Sequence, residues 1–309
     1  MELLHLKGKR HLRKLGQQQK KVCLNQIGYL ENGATNLLES RAKYVEKIMS
    51  LVSLDGIKPL RILMNFGNGA AAPAFLEIKR FLTSKLIPIE FIEVNLQPDP
   101  YFENGVPNPL LKDNQKETTD LIKKKNVDFG VSFDGDFDRC FFFDEKGNFV
   151  ESTKIIGLIA KFFLKEQKNK KIVHDLRNVY EVMEVVKSEN AEGIASKTGH
   201  IYFKQKMREN GAIYGGELSA HHYFKDFFYC DSGMIPWLII SEIVGSSKSP
   251  FSKLIRSKQR IHCSGEINFS VINKIELIQK IKDLYSKTAK SIDLTDGLSV
   301  SFDDWRFNI

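Results

Sequence analysis

Along most of this chain, short apolar runs alternate with longer segments whose apolar residues recur three and four apart, and glycine-rich turns separate them. "LRILMNF" (60–66) is a compact apolar run, "GNGAA" (67–71) a glycine-punctuated turn, and "PAFLEIKRFLTSKL" (73–86) has helical spacing. "IEFIEVNL" (89–96) predicts a second strand, "QKETTDLIKKK" (115–125) a helix, and "VDFGVSF" (127–133) a third strand. This rhythm predicts an α/β unit with a mainly parallel sheet.

The rhythm then restarts. "STKIIGLIAKFFLKEQ" (152–167) and "NVYEVMEVVKSE" (178–189) predict helices on either side of the strand "KIVHDL" (171–176). "GIASKTGH" (193–200) runs from strand into turn, "YFKQKMREN" (202–210) is helical, and "GAIYGGELSAHH" is again a strand followed by a glycine turn. The longest apolar patch, "GMIPWLIISEIVG" around Trp237, contains Pro236 and Glu242 and reads as a core helix. No apolar run reaches the ~18 residues of a membrane span.

Past "GSSKSP" (245–250), a linker by composition, the pattern changes. "SGEINFSV" is strand-like, "KIELIQKIKDLYSK" (274–287) helical, and "DGLSVSF" and "DWRFNI" are hairpin strands. The expected fold class is α/β: two successive α/β domains with mainly parallel or mixed sheets, 43–150 and 151–250, then a partial α+β domain, 260–309. An open strand edge ought to be paired or covered, so the last domain is expected to be incomplete.

Of the 309 residues, 42% are hydrophobic and 27% charged, which fits a packed core and excludes a disordered chain. The net charge of +8 is concentrated in Lys7, Lys9, Arg10, Arg13, Lys14, Lys20 and Lys21, within a segment, 1–42, that stands apart from the α/β rhythm. Such a head can bind nucleic acid or an anionic surface. No aromatic residue interleaves the charges, so a solvated terminus is expected and a nucleic-acid partner is not. Cys23, Cys140, Cys230 and Cys263 are scattered, without a C-x-x-C pair, and the N-terminus lacks the apolar stretch of a signal peptide. Reduced thiols in a cytoplasmic protein are the simplest expectation.

Candidate chemistry concentrates in three places. In "VSFDGDFDRCFFFDE" (131–145), Asp134, Asp136 and Asp138 sit at alternating positions where an apolar strand ends. On an extended segment such residues share one face at roughly 6.7 Å per pair, and a bound cation relieves their repulsion. Oxygen ligands suit Mg²⁺ or Ca²⁺. An EF-hand would place Glu145 at its twelfth position, but Arg139 stands where that loop needs glycine and the flanks are strands. A plain polar turn is the other alternative; a ligand site at the carboxyl end of a parallel strand accounts better for three acids and an arginine.

"GGELSAHH" (215–222) offers Glu217, Ser219 and His221 behind Gly216, a carboxylate, a hydroxyl and an imidazole suited to a polyol. Its adjacent histidines also suggest a metal pair, without a third ligand nearby, and a merely structural loop remains an alternative. "HDLR" and "SKTGH" end predicted strands and bring Arg177, Lys197 and His200 to the same rim, where cations hold phosphate and Arg177 or His200 can transfer a proton. Taken singly, each is equally a surface charge or a satisfied histidine.

Together, "DGDFDR" (134–139), "KTGH" (197–200), "GELSAHH" (216–222), "NFGNGAA" (65–71), "NGVPNPL" (104–110) and "CDSGMIP" (230–236) resemble, in order, motifs of the bacterial phosphomannomutases and phosphoglucomutases of the phosphohexomutase superfamily. The resemblance runs from about residue 40 onward. It implies Mg²⁺ on Asp134, Asp136 and Asp138, and Arg139 beside the phosphoryl group in transit. Arg177 and His200 would serve proton transfer, and Lys197, Gly216, Glu217, Ser219 and His221 would line the sugar phosphate. Family members move phosphate between C1 and C6 of a hexose, using a phosphoserine donor. The family's T-A-S-H-N-P type phosphoserine loop and its R-x-S-N-T-E-P type phosphate loop do not occur in this sequence. The resemblance therefore implies a truncated phosphomannomutase without turnover of its own, or a non-catalytic module that keeps metal and sugar phosphate.

Overall fold

The computed structural model describes residues 37–165, 170–177, 179–256, 264 and 267–309. The basic head at residues 4–21, Cys23 and Cys263 lie outside the described residues. Helix α1 (Leu37–Met49) opens the described part. The chain divides after Glu46 into two units, and all that follows concerns Lys47–Ile309.

Five strands, β1 (Leu60–Asn65), β2 (Ile89–Val94), β3 (Phe129–Phe133), β4 (Cys140–Phe143) and β5 (Phe149–Val150), form the first sheet in the order β2-β1-β3-β4-β5. β1 runs parallel to β2 and β3, with Ile62 opposite both Phe91 and Phe129, while β4 and β5 are antiparallel additions. Helix α2 (Ala72–Ser84) buries Ala72, Phe75, Ile78 and Leu82, the stripe its spacing predicts. Phe75 meets Phe66 and Phe91 at ring-centroid distances of 4.8 and 5.0 Å. Helix α3 (Lys112–Lys125) is mostly polar and anchors itself through Thr118 and Ile122.

The second sheet repeats this plan. After α4 (Ser152–Leu164), strands β6 (Lys171–Asp175), β7 (Glu192–Ser196), β8 (Tyr214–Gly216), β9 (His222–Phe224) and β10 (Cys230–Asp231) assemble as β10-β9-β8-β6-β7. β6, β7 and β8 are parallel, and β9 and β10 are antiparallel. Helices α5 (Val179–Ser188) and α6 (His200–Asn210) make the crossovers. β4 is the strand expected on the far flank of the aspartates, whereas β5, β9 and β10 were not legible as separate strands, because two- to three-residue runs carry almost no periodicity. Their consequence is topological: the β3–β4 turn and the β8–β9 turn occupy equivalent places, each where the parallel part of its sheet gives way to the antiparallel part.

Helix α7 (Met234–Gly245) is apolar on all sides and buried along nearly its whole length, so it needs cover on more than one face. Trp237 rests on Phe75 and Phe91 of the first domain, at centroid distances of 6.2 and 5.9 Å. "GSSKSP" is accordingly no loose linker. It leads into a short helix, α8 (Phe251–Leu254), whose Phe251 packs between Phe129 and Phe142 and whose Ser252 amide donates to Glu145 Oε2 at 2.9 Å.

A smaller sheet-rich region follows. Helix α9 (Lys274–Tyr285) is capped by Asn273, whose side chain accepts the Glu276 amide at 3.2 Å. Strands β11 (Ser291–Asp293), β12 (Ser299–Ser301) and β13 (Arg306–Asn308) form an antiparallel sheet, and the predicted hairpin is present with Val300 opposite Phe307. "SGEINFSV" is a correction: its described residues, 264 and 267–271, are not strand. Strand propensity is expressed only where a neighbouring strand takes up the backbone groups, and here Ile267 and Phe269 stand exposed.

Candidate functional site

Phe133 and Cys140 face each other across the β3–β4 pair, so residues 134–139 are the turn that joins antiparallel strands. This corrects the expectation of an extended, shared face. The aspartates converge because the turn folds back on itself: Phe137 adopts φ +53° and its amide donates to the Asp134 carbonyl at 3.3 Å. One ligand oxygen from each of Asp134, Asp136 and Asp138 then lies within 4.8 Å of the others.

Arg139 closes the turn, with Nε and Nη2 each 2.7 Å from Asp134 Oδ2. Burial pushes the Asp134 carboxyl up to about 6, and the Arg139 charge only partly offsets this. Asp136 is exposed, and Asp138 Oδ1 is buried without a hydrogen-bond partner, with Arg139 Nε 3.3 Å away. Three converging carboxylates, one with an unsatisfied buried oxygen, suit a hard divalent cation such as Mg²⁺. An EF-hand does not fit, because the Glu145 carboxylate is engaged by Ser252 of α8.

Two further motifs brace this turn by close backbone approach. The Ala70 amide of "NFGNGAA" donates to the Gly135 carbonyl at 2.9 Å, and a Cβ on Gly69 would come within 2.8 Å of that oxygen. The Gly233 amide of "CDSGMIP" donates to the Phe137 carbonyl at 3.2 Å, where a Cβ would stand 2.5 Å from the same oxygen. Both glycines are required by proximity rather than by a left-handed φ.

In the second sheet Gly216 pairs with His222, and residues 217–221 close the β8–β9 turn. The Glu217 amide donates to the His221 carbonyl and the Ala220 amide to the Glu217 carbonyl, each at 3.0 Å. The buried Glu217 carboxylate accepts the Tyr223 hydroxyl and the Gly199 amide, both at 2.6 Å. Burial alone would raise its pKa; hydrogen bonds from His221, Tyr223 and Gly199 bring it below the usual carboxylate value.

His221 joins the two turns. Its Nδ1 lies 2.8 Å from Ser219 Oγ and 3.3 Å from Glu217 Oε2, and its Nε2 lies 3.1 Å from Asp138 Oδ2. Burial disfavours its charge, but the Asp138 and Glu217 hydrogen bonds and charges prevail and lift it to about 9. At neutral pH it is an imidazolium that donates from both nitrogens. His222 faces elsewhere: it is buried with Nδ1 2.6 Å from the Tyr214 hydroxyl, so the adjacent histidines do not form a metal pair. Gly216 is enclosed within β8, where a Cβ would meet Ile156 at 2.6 Å, so packing accounts for its lack of a side chain.

The remaining candidates lie near the Glu217 turn. Arg177 donates Nη2 to Asp175 Oδ2 at 3.0 Å, and the same oxygen accepts the Leu218 amide at 2.8 Å. Asp175, buried at the end of β6 within "HDLR", thus ties Arg177 to the Glu217 turn, a role that the local sequence does not reveal. Lys197 and His200 are exposed on either side of Thr198 and Gly199, and Lys197 Nζ lies 5.7 Å from the Tyr202 ring centroid. Tyr223 was missed, and Asp231 stood within "CDSGMIP" without a role. Tyr223 holds Glu217, and Asp231, paired with Lys204 at 2.7 Å, lies in one cluster with Asp138 and His221. Only tertiary contact distinguishes them from ordinary strand residues.

Residues 42–147 match the family description "Phosphoglucomutase/phosphomannomutase, alpha/beta/alpha domain II", and residues 151–261 match its domain III. The chain belongs to the phosphoglucomutase/phosphomannomutase family. The phosphomannomutase of Escherichia coli (strain K12) is 42% identical over 280 residues, which span 90% of this chain and 61% of that protein. The phosphomannomutase of Vibrio cholerae is 43% identical over 269 residues, 86% of this chain and 58% of that protein. The chain thus spans about three-fifths of the length of these phosphomannomutases.

A crystal structure of a phosphoglucomutase/phosphomannomutase family protein from Burkholderia thailandensis superposes with a TM-score of 0.71 at 26% identity, over 86% of this chain and 56% of that one. The Aspergillus fumigatus N-acetylphosphoglucosamine mutase, solved with GlcNAc-6P and magnesium, shares the fold at a TM-score of 0.52 and 14% identity, over 69% of this chain and 51% of that one. In family terms, the first two sheets of this chain are domains II and III, and the turns built on Asp134–Arg139 and Glu217–His221 meet through His221.

Proposed function

We propose that this chain carries the metal and sugar-recognition halves of a phosphomannomutase, a phosphohexomutase that interconverts mannose 6-phosphate and mannose 1-phosphate in the cytoplasm. The observation that supports it is the 3.1 Å contact between His221 and Asp138, which sets a carboxylate turn against a sugar-type turn. Asp134, Asp136 and Asp138 would hold Mg²⁺, which supplies charge neutralisation to a phosphoryl group in transit.

The chain's own residues supply the rest. Arg139, fixed by Asp134, presents its guanidinium beside that group. Glu217 and Ser219 accept sugar hydroxyls in an orientation fixed by Tyr223, Gly199 and His221. Lys197 offers a cation to the phosphate, and Arg177 or His200 moves the proton of the attacking hydroxyl. Gly216 shapes the base of the sugar turn. We assign 43–150 and 151–250 to the two α/β domains and 260–309 to the third region; no nucleic-acid or membrane partner is part of this proposal.

A second proposal, favoured by the sequence itself, is that these 309 residues bind metal and sugar phosphate without turnover. No T-A-S-H-N-P type loop is present to carry a phosphoserine, and an unactivated serine elsewhere does not replace one. The test is calorimetric titration of mannose 6-phosphate with Mg²⁺, beside an assay of mannose 1-phosphate formation with a hexose bisphosphate primer. Binding without turnover is the expected result. Turnover that Asp136→Ala abolishes would overturn the second proposal, and absence of binding would overturn both.

A further inference from the structure

Lys197 and His200 flank two residues, Thr198 and Gly199, whose consecutive amides are each held by a carboxylate from a different part of the chain. Gly199 N donates to Glu217 Oε1 at 2.6 Å. Thr198 donates both its amide, at 3.0 Å, and its hydroxyl, at 2.8 Å, to Asp296 Oδ2. Asp296 lies in the connection between β11 and β12 of the C-terminal sheet. It is itself fixed there: its carbonyl accepts Asn308 Nδ2 at 2.9 Å, and that amide also donates to Ser299 Oγ at 2.8 Å. Close by, Arg306 of β13 donates Nη1 to the Leu176 carbonyl, next to Arg177.

Resting on the reading that the Glu217 turn receives a hexose phosphate, we propose that Asp296 is a positioning residue for Lys197 and His200, which makes sugar-phosphate affinity depend on the C-terminal sheet. The physical reason is the number of fixed points. Gly199 sits at φ +118°; its carbonyl accepts the Tyr202 and Phe203 amides at 3.0 and 3.2 Å, and the Lys197 carbonyl accepts Ser196 Oγ at 3.0 Å, but these holds are local, and Glu217 ties the "KTGH" segment to a distant part of the chain at a single amide. Asp296 supplies the second long-range anchor, through two hydrogen bonds to one carboxylate oxygen. Among the described residues no hydrogen bond or ion pair joins Asp296 to Lys197 or His200, so its effect is exerted through the backbone between them.

The experiment titrates mannose 6-phosphate into the full chain with Mg²⁺, comparing the native sequence with Asp296→Ala, Asp296→Asn and Thr198→Val. Asp296→Ala is expected to weaken binding about tenfold, the scale of losing hydrogen bonds to a charged group. Asp296→Asn, which keeps an acceptor, recovers most of the affinity, and Thr198→Val falls between. Mg²⁺ affinity stays constant throughout, and the amide resonances of Gly199 and His200 shift in Asp296→Ala while that of Asp136 does not.

Native-like affinity and unmoved Gly199 and His200 resonances in Asp296→Ala overturn the proposal. If Asp296→Ala does not fold, unchanged affinity in Thr198→Val overturns it instead. Failure of the native chain to bind mannose 6-phosphate is a different outcome: it overturns the reading of the Glu217 turn and this proposal together.

Discussion

His221 holds Asp138 through one ring nitrogen and the Ser219–Glu217 pair through the other, at 3.1 Å from Asp138 Oδ2 and 2.8 Å from Ser219 Oγ. A single imidazolium therefore fastens two turns that occupy the same topological place in two different sheets. Removing it leaves the buried Glu217 and half-buried Asp138 carboxylates short of a partner. Asp138 keeps enough exposure for solvent to screen part of that loss. His221→Asn is expected to lower unfolding free energy by about 2 kcal/mol in urea titrations. An unchanged midpoint would mean that the two turns are held apart from this contact.

Asp136 is the most exposed of the three converging aspartates. Asp136→Ala is accordingly expected to leave the melting temperature within a degree or two, on the order of a neutral surface change. The same substitution should cut Mg²⁺ affinity by at least about tenfold, since one of the three proposed carboxylate ligands would be lost. Added Mg²⁺ should raise the melting temperature of the native chain and not that of the variant. Equal Mg²⁺ responses in the two proteins would remove the "DGDFDR" turn as the metal site.

Gly233 meets backbone, not flexible side chain: a Cβ would lie 2.5 Å from the Phe137 carbonyl oxygen and 2.9 Å from the Arg139 carbonyl carbon. Gly233→Ala should destabilise the chain by about 1–3 kcal/mol, the range for overpacking, because the turn must move to admit a methyl group. The shift should extend to the carboxylates, so Mg²⁺ affinity drops with it. A fully stable variant with native metal affinity would show that this approach is not tight in solution.

His222 is fully buried, and burial pushes it down to about 3 from an ordinary 6.5; burial lowers His174 in the same direction. Between those two pH values the unfolded chain binds a proton at His222 that the folded chain refuses. Stability is therefore complete above about pH 6.5 and is lost progressively as pH falls toward 3. One such proton corresponds to about 1.4 kcal/mol per pH unit within the window. His222→Asn, which still accepts the Tyr214 hydroxyl and does not titrate, should flatten the slope of urea stability between pH 4 and 6. Parallel slopes for the two proteins would contradict it.

Much of this molecule is written in local sequence. The apolar runs at 60–66, 89–96, 127–133 and 171–176 became strands, and the stripe of Phe75, Ile78 and Leu82 became the buried face of a helix. Those features follow from periodicity and composition over a few residues, and so did the identity of the chemistry-bearing types in "DGDFDR" and "GELSAHH". The residue types at 134–139 were legible; the shape they adopt was not. Their convergence depends on a left-handed Phe137 and on the antiparallel partner β4, which supply a turn where alternation alone suggested an extended face.

What only the tertiary structure decided is which distant residues meet. His221 lies 83 positions from Asp138, Asp296 lies 98 from Thr198, and Trp237 of α7 packs on Phe75 and Phe91 of the first domain. No short window of sequence contains both partners of such a contact, and each is selected when burial of the helices and sheets brings ionised or aromatic groups into a low-dielectric space where they must be paired. The sequence by itself determined the elements and the chemical groups on their ends. The packing of two like sheets determined that the Asp134–Arg139 turn and the Glu217–His221 turn share one histidine.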